Sequence, residues 1–325
     1  LFKTSTAVPP SAIIRLGKLT WTTLWQVMMS QLAPPDRTGN YQRPASQFRD
    51  RVSSQPGARY QPAADRYQLI VGMSCPWAHR TVITRALKGL ESAISVTIAS
   101  PSETGLWQFD RPIAGCDRLI DLYQLARSGY QGRATVPVLW DHQTRSIVNN
   151  ESSEIIEILN RDFNNVANHP DCNLEPADRA ADIDRWNQII YSTVNNGVYR
   201  CGFAQSQAAY DRACQDLFST LDAIDAALAD RPYLCGDRIT LADVRLFTTL
   251  VRFDLVYYGL FKCNRRRIQD YGQLPGYLRR IYHLPGVAAT CDLEQIKQDY
   301  YRSLFPLNPG GLVPAGPDLD WMTRP

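Results

Sequence analysis

Residues 66–98 read RYQLIVGMSCPWAHRTVITRALKGLESAISVTI, and their order decides the fold. RYQLIVGM (66–73) is a short apolar run of strand type. Pro76 then suits the first turn of a helix, where its missing N–H costs nothing. Val82, Ile83, Ala86 and Leu87 supply an apolar helical face. AISVTI (93–98) is a second strand signal. Strand, helix and strand at this spacing form a βαβ unit, hence a parallel pair with a right-handed crossover.

The same stretch places Cys75 between a strand and a helix. Unpaired N–H groups and the positive end of the helix dipole favour a thiolate there, the form that attacks sulfur. Cys75-Pro76-Trp77-Ala78 has no second cysteine, so a mixed disulfide formed at Cys75 needs an external thiol to release it. The abundant cytosolic one is glutathione. An inert cysteine capping a strand fits the position equally well. His79, one turn on, reads first as a polar helix residue satisfied by local hydrogen bonds.

Further along, residues 101–130 read as a loop and a helix. TVPVLW (135–140) is a third strand, Ser146–Val148 a short fourth one, and Glu151 opens a helix SSEIIEILN. A proline at the start of a short strand is tolerated at a sheet edge. With a cis Val136–Pro137 bond, Val136 would offer its backbone to an extended peptide. An ordinary trans edge proline is the alternative. Glu151-Ser152 can bind an amino-acid head group, with Ser152 and the helix N–H groups on the carboxylate and Glu151 on the ammonium. Simple capping is again the alternative. Together the three features put a nucleophile, a peptide-pairing edge and an amino-acid clamp on one face of one small sheet.

After Pro170 the pattern becomes helical throughout. Ile183, Trp186, Ile189 and Ile190 repeat at helical spacing over 177–196, and Cys214, Leu217, Leu221, Ile224 and Leu228 over 207–229. Thr240-Leu241-Ala242-Asp243 is a capping box. Two more helical pieces lie near 274–284 and 292–304, and the last 20 residues read as a Pro/Gly-rich tail with no element. We expect an N-terminal arm over 1–61, an α/β domain over 62–165 and an all-α domain with its tail over 172–325.

The arm itself has two parts. Residues 11–33 are apolar-rich and free of acids, but Arg15, Lys18 and several Thr break the run a membrane span requires. Ile13, Leu16, Leu24, Val27 and Met28 fit a helical stripe, read here as packed on the body, with a surface anchor or targeting remnant as the alternative. Residues 34–65 read as an extended arm with turns. The chain opens on Leu1, so we expect a natural start that is missing or processed. Trp21, Trp25, Trp140 and Trp186 read as packing residues.

Composition sets limits on function. The chain has 325 residues, 44 % apolar and 21 % charged, which excludes a disordered or fibrous chain. Thirty-five basic and 32 acidic residues leave a net charge of +3, no footprint for nucleic acid. Eight dispersed cysteines, none at Cys-x-x-Cys spacing, and four scattered histidines argue against structural zinc and against a disulfide framework. We read a reduced, cytoplasmic protein.

Several stretches carry a family resemblance. They are Ser74-Cys75-Pro76-Trp77-Ala78-His79-Arg80, Gly132-Arg133-Ala134-Thr135-Val136-Pro137-Val138-Leu139-Trp140-Asp141, Asn195-Asn196-Gly197-Val198-Tyr199-Arg200-Cys201-Gly202-Phe203-Ala204, and Tyr300-Tyr301 with Asn308-Pro309. From about residue 38 to the tail the chain resembles the Xi-class glutathione transferases, the S-glutathionyl-hydroquinone reductases. The resemblance implies a thioredoxin-like N-terminal domain followed by an all-helical glutathione-transferase C-terminal domain. It makes Cys75 the nucleophile and puts Trp107 against glutathione. Arg133 pairs with the glycyl carboxylate, Val136 with the cysteinyl backbone, and Glu151 and Ser152 with the γ-glutamyl end. Tyr199, Tyr300 and Tyr301 line the hydroquinone pocket. One departure is Leu304, where the family often has His. The tail helps wall the pocket and the arm wraps the first domain.

The partners implied are glutathione, as co-substrate, and glutathionylated hydroquinones, in a homodimer formed through the helical domain. No metal, flavin, nicotinamide, nucleic acid or transmembrane span is expected. Two other readings stand beside this one. One is an omega-like thioltransferase or dehydroascorbate reductase, and the other a transferase-fold binding module with a vestigial cysteine.

Overall fold

The computed structural model describes residues 9–32, 34, 45–102 and 105–324. The β-branched and apolar runs of the first half form β1 (Tyr67–Val71), β2 (Ile94–Pro101), β3 (Trp107–Ile113), β4 (Cys116–Arg118), β5 (Val138–Asp141) and β6 (Ser146–Asn149). They make one sheet in the order β4-β3-β2-β1-β5-β6. β1 and β2 run parallel, with Leu69 opposite Val96, and the other pairs are antiparallel. The crossover is α2 (Pro76–Leu87), with Cys75 as its N-cap and Pro76 in its first turn. α3 (Leu119–Ala126) and α4 (Ser152–Arg161) complete this half.

Two strands were not expected. β3 and β4 occupy the stretch read as a loop before α3, and only Phe109 and Ile113 of β3 are buried. A strand with so few inward apolar residues gives almost no alternation signal. The third strand also starts later than its sequence implies, because Val136–Pro137, a cis pair, precedes the ladder.

The second half contains α5 (Ala180–Ile190), α6 (Gly197–Gly202), α7 (Gln207–Ala227), α8 (Leu241–Arg252), α9 (Leu274–Tyr282), α10 (Leu293–Ser303) and α11 (Asp320–Thr323). Two π-turns, Tyr191–Asn195 and Phe253–Tyr257, extend α5 and α8. The capping box at α8 forms as expected: Asp243 Oδ2 accepts from the Thr240 N–H at 2.8 Å and its hydroxyl at 2.9 Å. Its Oδ1 takes the Leu234 N–H and the Tyr277 hydroxyl, so this fully buried carboxylate is satisfied on both oxygens. Burial pushes its pKa up despite those four donors.

One core lies between the sheet and its helices, the other among the C-terminal helices. Ten of the twelve residues of α2 are buried, because it serves both. Ala78 packs on the sheet, while Ile83 and Leu87 join the helical core.

The flanking segments differ from their reading. α1 (Pro10–Leu32) forms, but it is not packed along the body: Ile13, Leu16, Leu24 and Val27 are exposed, and among the described side chains of the helix only Met29 is buried. The extended arm partly lies outside the described residues, at 35–44. Its remainder is anchored, since Phe48, Val52 and Tyr60 are buried against the sheet. Arg49 bridges Asn149 beside β6. The tail, read as featureless, carries α11, whose Met322 is buried and accepts a hydrogen bond from His283 at 3.1 Å.

Candidate active site

Cys75 stands half-buried at the start of α2, its Sγ 3.5 Å from the Val136 carbonyl oxygen. It opens into a cavity of about 400 Å³ between the two halves of the molecule. On the sheet side the cavity is lined by Trp107, Arg133, Thr135, Val136 and Asn150. Trp107 reaches the cysteine loop because Gly72 lacks a side chain. A Cβ there would meet the indole at 2.5 Å, so any larger residue would expel the ring. Ser46 and Gln47 of the arm close this side.

The clamp residues sit just behind that wall. Glu151 caps α4: Oε1 accepts the Ser153 N–H at 3.2 Å, and Oε2 accepts the Ser46 hydroxyl at 2.9 Å. The capping alternative is therefore real, although it engages the same carboxylate an ammonium would need. The Ser152 hydroxyl is buried and has no hydrogen-bond partner among the described residues. An orphaned hydroxyl at a helix N-terminus fits an incoming carboxylate.

The helical side presents aromatic rings. Tyr199 of α6 and Tyr300 of α10 line the cavity, with their hydroxyls 2.7 Å apart. Tyr257, which sequence reasoning missed, comes from the second π-turn and places its hydroxyl 2.9 Å from that of Tyr300. Burial pushes all three phenols up, so they stand as neutral hydrogen-bonding groups. The first π-turn ends at Asn195, and Asn196 joins it to α6, which starts at Gly197. This junction sets Asn196 against the cavity, its Oδ1 buried and unpartnered among the described residues. Leu304 also lines the cavity. Tyr301 does not: its hydroxyl faces Gly259, where a Cβ would lie 2.8 Å away. Consecutive helix residues point about 100° apart, and the next residue after Tyr300 is turned away from the cavity, whereas Asp299 on its other side lines it.

Beneath the cysteine loop lies a buried cation that the sequence did not reveal. Arg252, at the end of α8, is fully buried and donates to the carbonyls of Met73 (2.8 Å), Ser74 (3.1 Å) and Thr248 (2.9 Å). It also donates to His79 Nδ1 at 2.9 Å. His79 Nε2 therefore carries the proton and donates to the Thr290 hydroxyl at 2.8 Å, which donates to the Val287 carbonyl. Burial, then the neighbouring guanidinium, hold the imidazole well below its usual pKa. These bonds span the chain, so His79 is not the locally satisfied residue it resembled. Asp299 lines the cavity and hydrogen-bonds Ser74 and Gln295; burial pushes its carboxyl up.

The comparisons with known proteins follow this geometry. The family model "Glutathione S-transferase, N-terminal domain" matches residues 74–162, and "Glutathione S-transferase, C-terminal domain" matches 207–280. The chain is 46 % identical to the glutathionyl-hydroquinone reductase PcpF of Sphingobium chlorophenolicum, over 86 % of this chain and 90 % of that protein. It is 45 % identical to the glutathionyl-hydroquinone reductase YqjG of Escherichia coli, over 87 % and 91 %. The chain belongs to this reductase family, the Xi-class glutathione transferases. The glutathione-bound structure of YqjG superposes with a TM-score of 0.79 at 43 % identity, covering 84 % of this chain and 94 % of that one. A Xi-class transferase from Natrialba magadii gives 0.81 at 45 % identity, covering 85 % and 87 %. In this member of the class, the thioredoxin-like sheet and the helical bundle share one cavity.

Proposed function

We propose that the chain carries out its family's reaction, the glutathione-dependent reduction of S-glutathionyl-hydroquinones to hydroquinones, through a mixed disulfide on Cys75. The supporting observation is the pairing of Cys75 Sγ with the Val136 carbonyl, in a cavity whose far wall is the hydroxyl pair of Tyr199 and Tyr300. The Cys75 thiolate attacks the sulfur of the conjugate. The carbon–sulfur pair leaves with the ring, which takes a proton at carbon through its keto tautomer. Tyr199 and Tyr300 stabilise charge on the ring oxygens. A second glutathione thiolate then attacks the mixed disulfide, giving glutathione disulfide and free Cys75. Trp107, Arg133, Val136, Glu151 and Ser152 hold the glutathionyl group; Tyr301 holds no place in the pocket.

The wider reading follows the same lines. Residues 62–165 and 172–325 act as the glutathione-binding and helical domains. Exposed Ile189 and Tyr191 on the helical half support a homodimer there. Eight unpaired cysteines support a reducing, cytoplasmic setting.

Mass spectrometry of the protein with a glutathionyl-hydroquinone tests the chemistry. A glutathione adduct on Cys75 and free hydroquinone are expected. Cys75→Ala should abolish both while glutathione still binds, and full activity in that variant would overturn the mechanism. Much faster turnover of small disulfides would make the protein a thioltransferase. Failure to bind millimolar glutathione would make it a binding module.

A further inference from the structure

α1 presents a surface that the reductase reaction does not use. Every residue from 9 to 20 is exposed, so the first part of the helix stands clear of the body. At 1.5 Å per residue that free part is roughly 20 Å long. Contact with the body begins at the far end, where Trp25 and Met28 are partly buried, Met29 is buried and Trp21 meets the ring of Phe305 at 6.1 Å.

The helix has one continuous apolar stripe with two flanking apolar residues. At 100° per residue, Ile13, Leu16, Leu24 and Val27 fall on one face, and the exposed Ile14 and Leu19 stand at either side of the helix, between that face and the basic one. Leu16 is 66 % exposed and Val27 58 %. Arg15 and Lys18 fall on the opposite face, and residues 10–32 contain no acid. The whole chain is nearly balanced in charge, so this basic bias is local.

We propose that α1 docks the enzyme on an anionic lipid surface, lying in the interface with its apolar stripe among the acyl chains. A basic helix with an apolar stripe and tryptophans near its anchored end has the composition of an interfacial helix. It does not span, since no described helix is long and apolar enough to cross a membrane. A second copy of the chain fits less well. Counted in heptads from Ile13, the seam residues are Ile13, Leu16, Thr20, Thr23, Val27 and Ser30, half of them polar, which a coiled coil does not favour. An acidic protein groove would satisfy the charge, and the test distinguishes it.

The full chain is floated through a density gradient with vesicles of phosphatidylcholine alone or mixed with phosphatidylglycerol. It should float with the anionic vesicles and, more weakly, with the neutral ones. The double variant Ile13→Glu, Leu16→Glu should lose at least tenfold in vesicle affinity. Arg15→Gln with Lys18→Gln should lose about fivefold per charge on anionic vesicles only. All are exposed positions, so circular dichroism and vesicle-free turnover should match the parent chain. Absence from the floating fraction with both vesicle types, or unchanged flotation of Ile13→Glu, Leu16→Glu, overturns the proposal. So does a sedimentation shift from dimer to monomer in that variant, which would assign the stripe to a second copy.

Discussion

The two walls of the cavity are built in opposite ways. The sheet-side wall comes from short segments, each placed by a local rule: a cysteine at a helix start, a Val-Pro before a strand, a capped helix after it. The helix-side wall is Tyr199 and Tyr300, backed by the buried Tyr257; the three are separated by 58 and 43 residues along the chain, and their hydroxyls meet only in the folded protein. Below both walls, Arg252 ties α8 to the loop that carries Cys75. The local wall states the type of chemistry. The non-local wall states what kind of molecule the chemistry is done to.

The sharpest way to break this division is at Arg252. Arg252→Met takes the guanidinium donors from the Met73 and Ser74 carbonyls and from His79 Nδ1. We expect a loss of about 3 kcal/mol in unfolding free energy, read from the urea midpoint at constant slope. Arg252→Lys should recover part of it, since an ammonium has three donors rather than five. A stable Arg252→Met protein would mean that the loop holds itself.

Tyr300→Phe probes the non-local wall. It keeps the ring and removes the hydroxyl, and kcat on a glutathionyl-hydroquinone should fall about 100-fold. Exchange of Cys75 with glutathione disulfide should not change, because that step has no phenolic oxygen to stabilise. Equal loss in both assays would show that Tyr300 supports the cysteine rather than the substrate.

The His79 cluster makes stability pH-dependent. The unfolded imidazole binds a proton near pH 6.5, whereas the folded one, buried against Arg252, resists it. The unfolded state therefore holds more protons below pH 6.5, and stability falls on acidification, by about 1.4 kcal/mol per pH unit. His79→Gln, which can still accept from Arg252 and donate to Thr290, should flatten that part of the profile. The smallest effect belongs to the local wall. Ser152→Ala should raise KM for glutathione about fivefold, the worth of about one hydrogen bond, and leave kcat unchanged. An unchanged KM would reduce Ser152 to a capping-site residue.

The βαβ unit, the place of Cys75 and the capping box at Thr240–Asp243 were all legible, because each is fixed by neighbours within a few residues. β3 and β4 were not, since β3 has two buried residues and β4 none, too few to alternate. α1 was legible as a helix but misread as packed, because a stripe on a helix does not say what covers it. Tyr301 was named by resemblance alone, and in the fold its hydroxyl faces Gly259. Tyr257 and Arg252 gave no signal at all. A tyrosine in an apolar run and an arginine at a helix end look like ordinary core and surface residues.

By itself the sequence determined the secondary elements that carry strong periodicity, the nucleophile at a helix start and the motifs at the sheet edge, because backbone propensity and capping act over short range. Only the tertiary structure decided which tyrosines share a proton network, which histidine is held neutral and which charge is buried beneath the nucleophile. Hydrogen bonds and desolvation depend on what lies within a few ångströms, and at those sites the deciding neighbours come from more than 40 residues away.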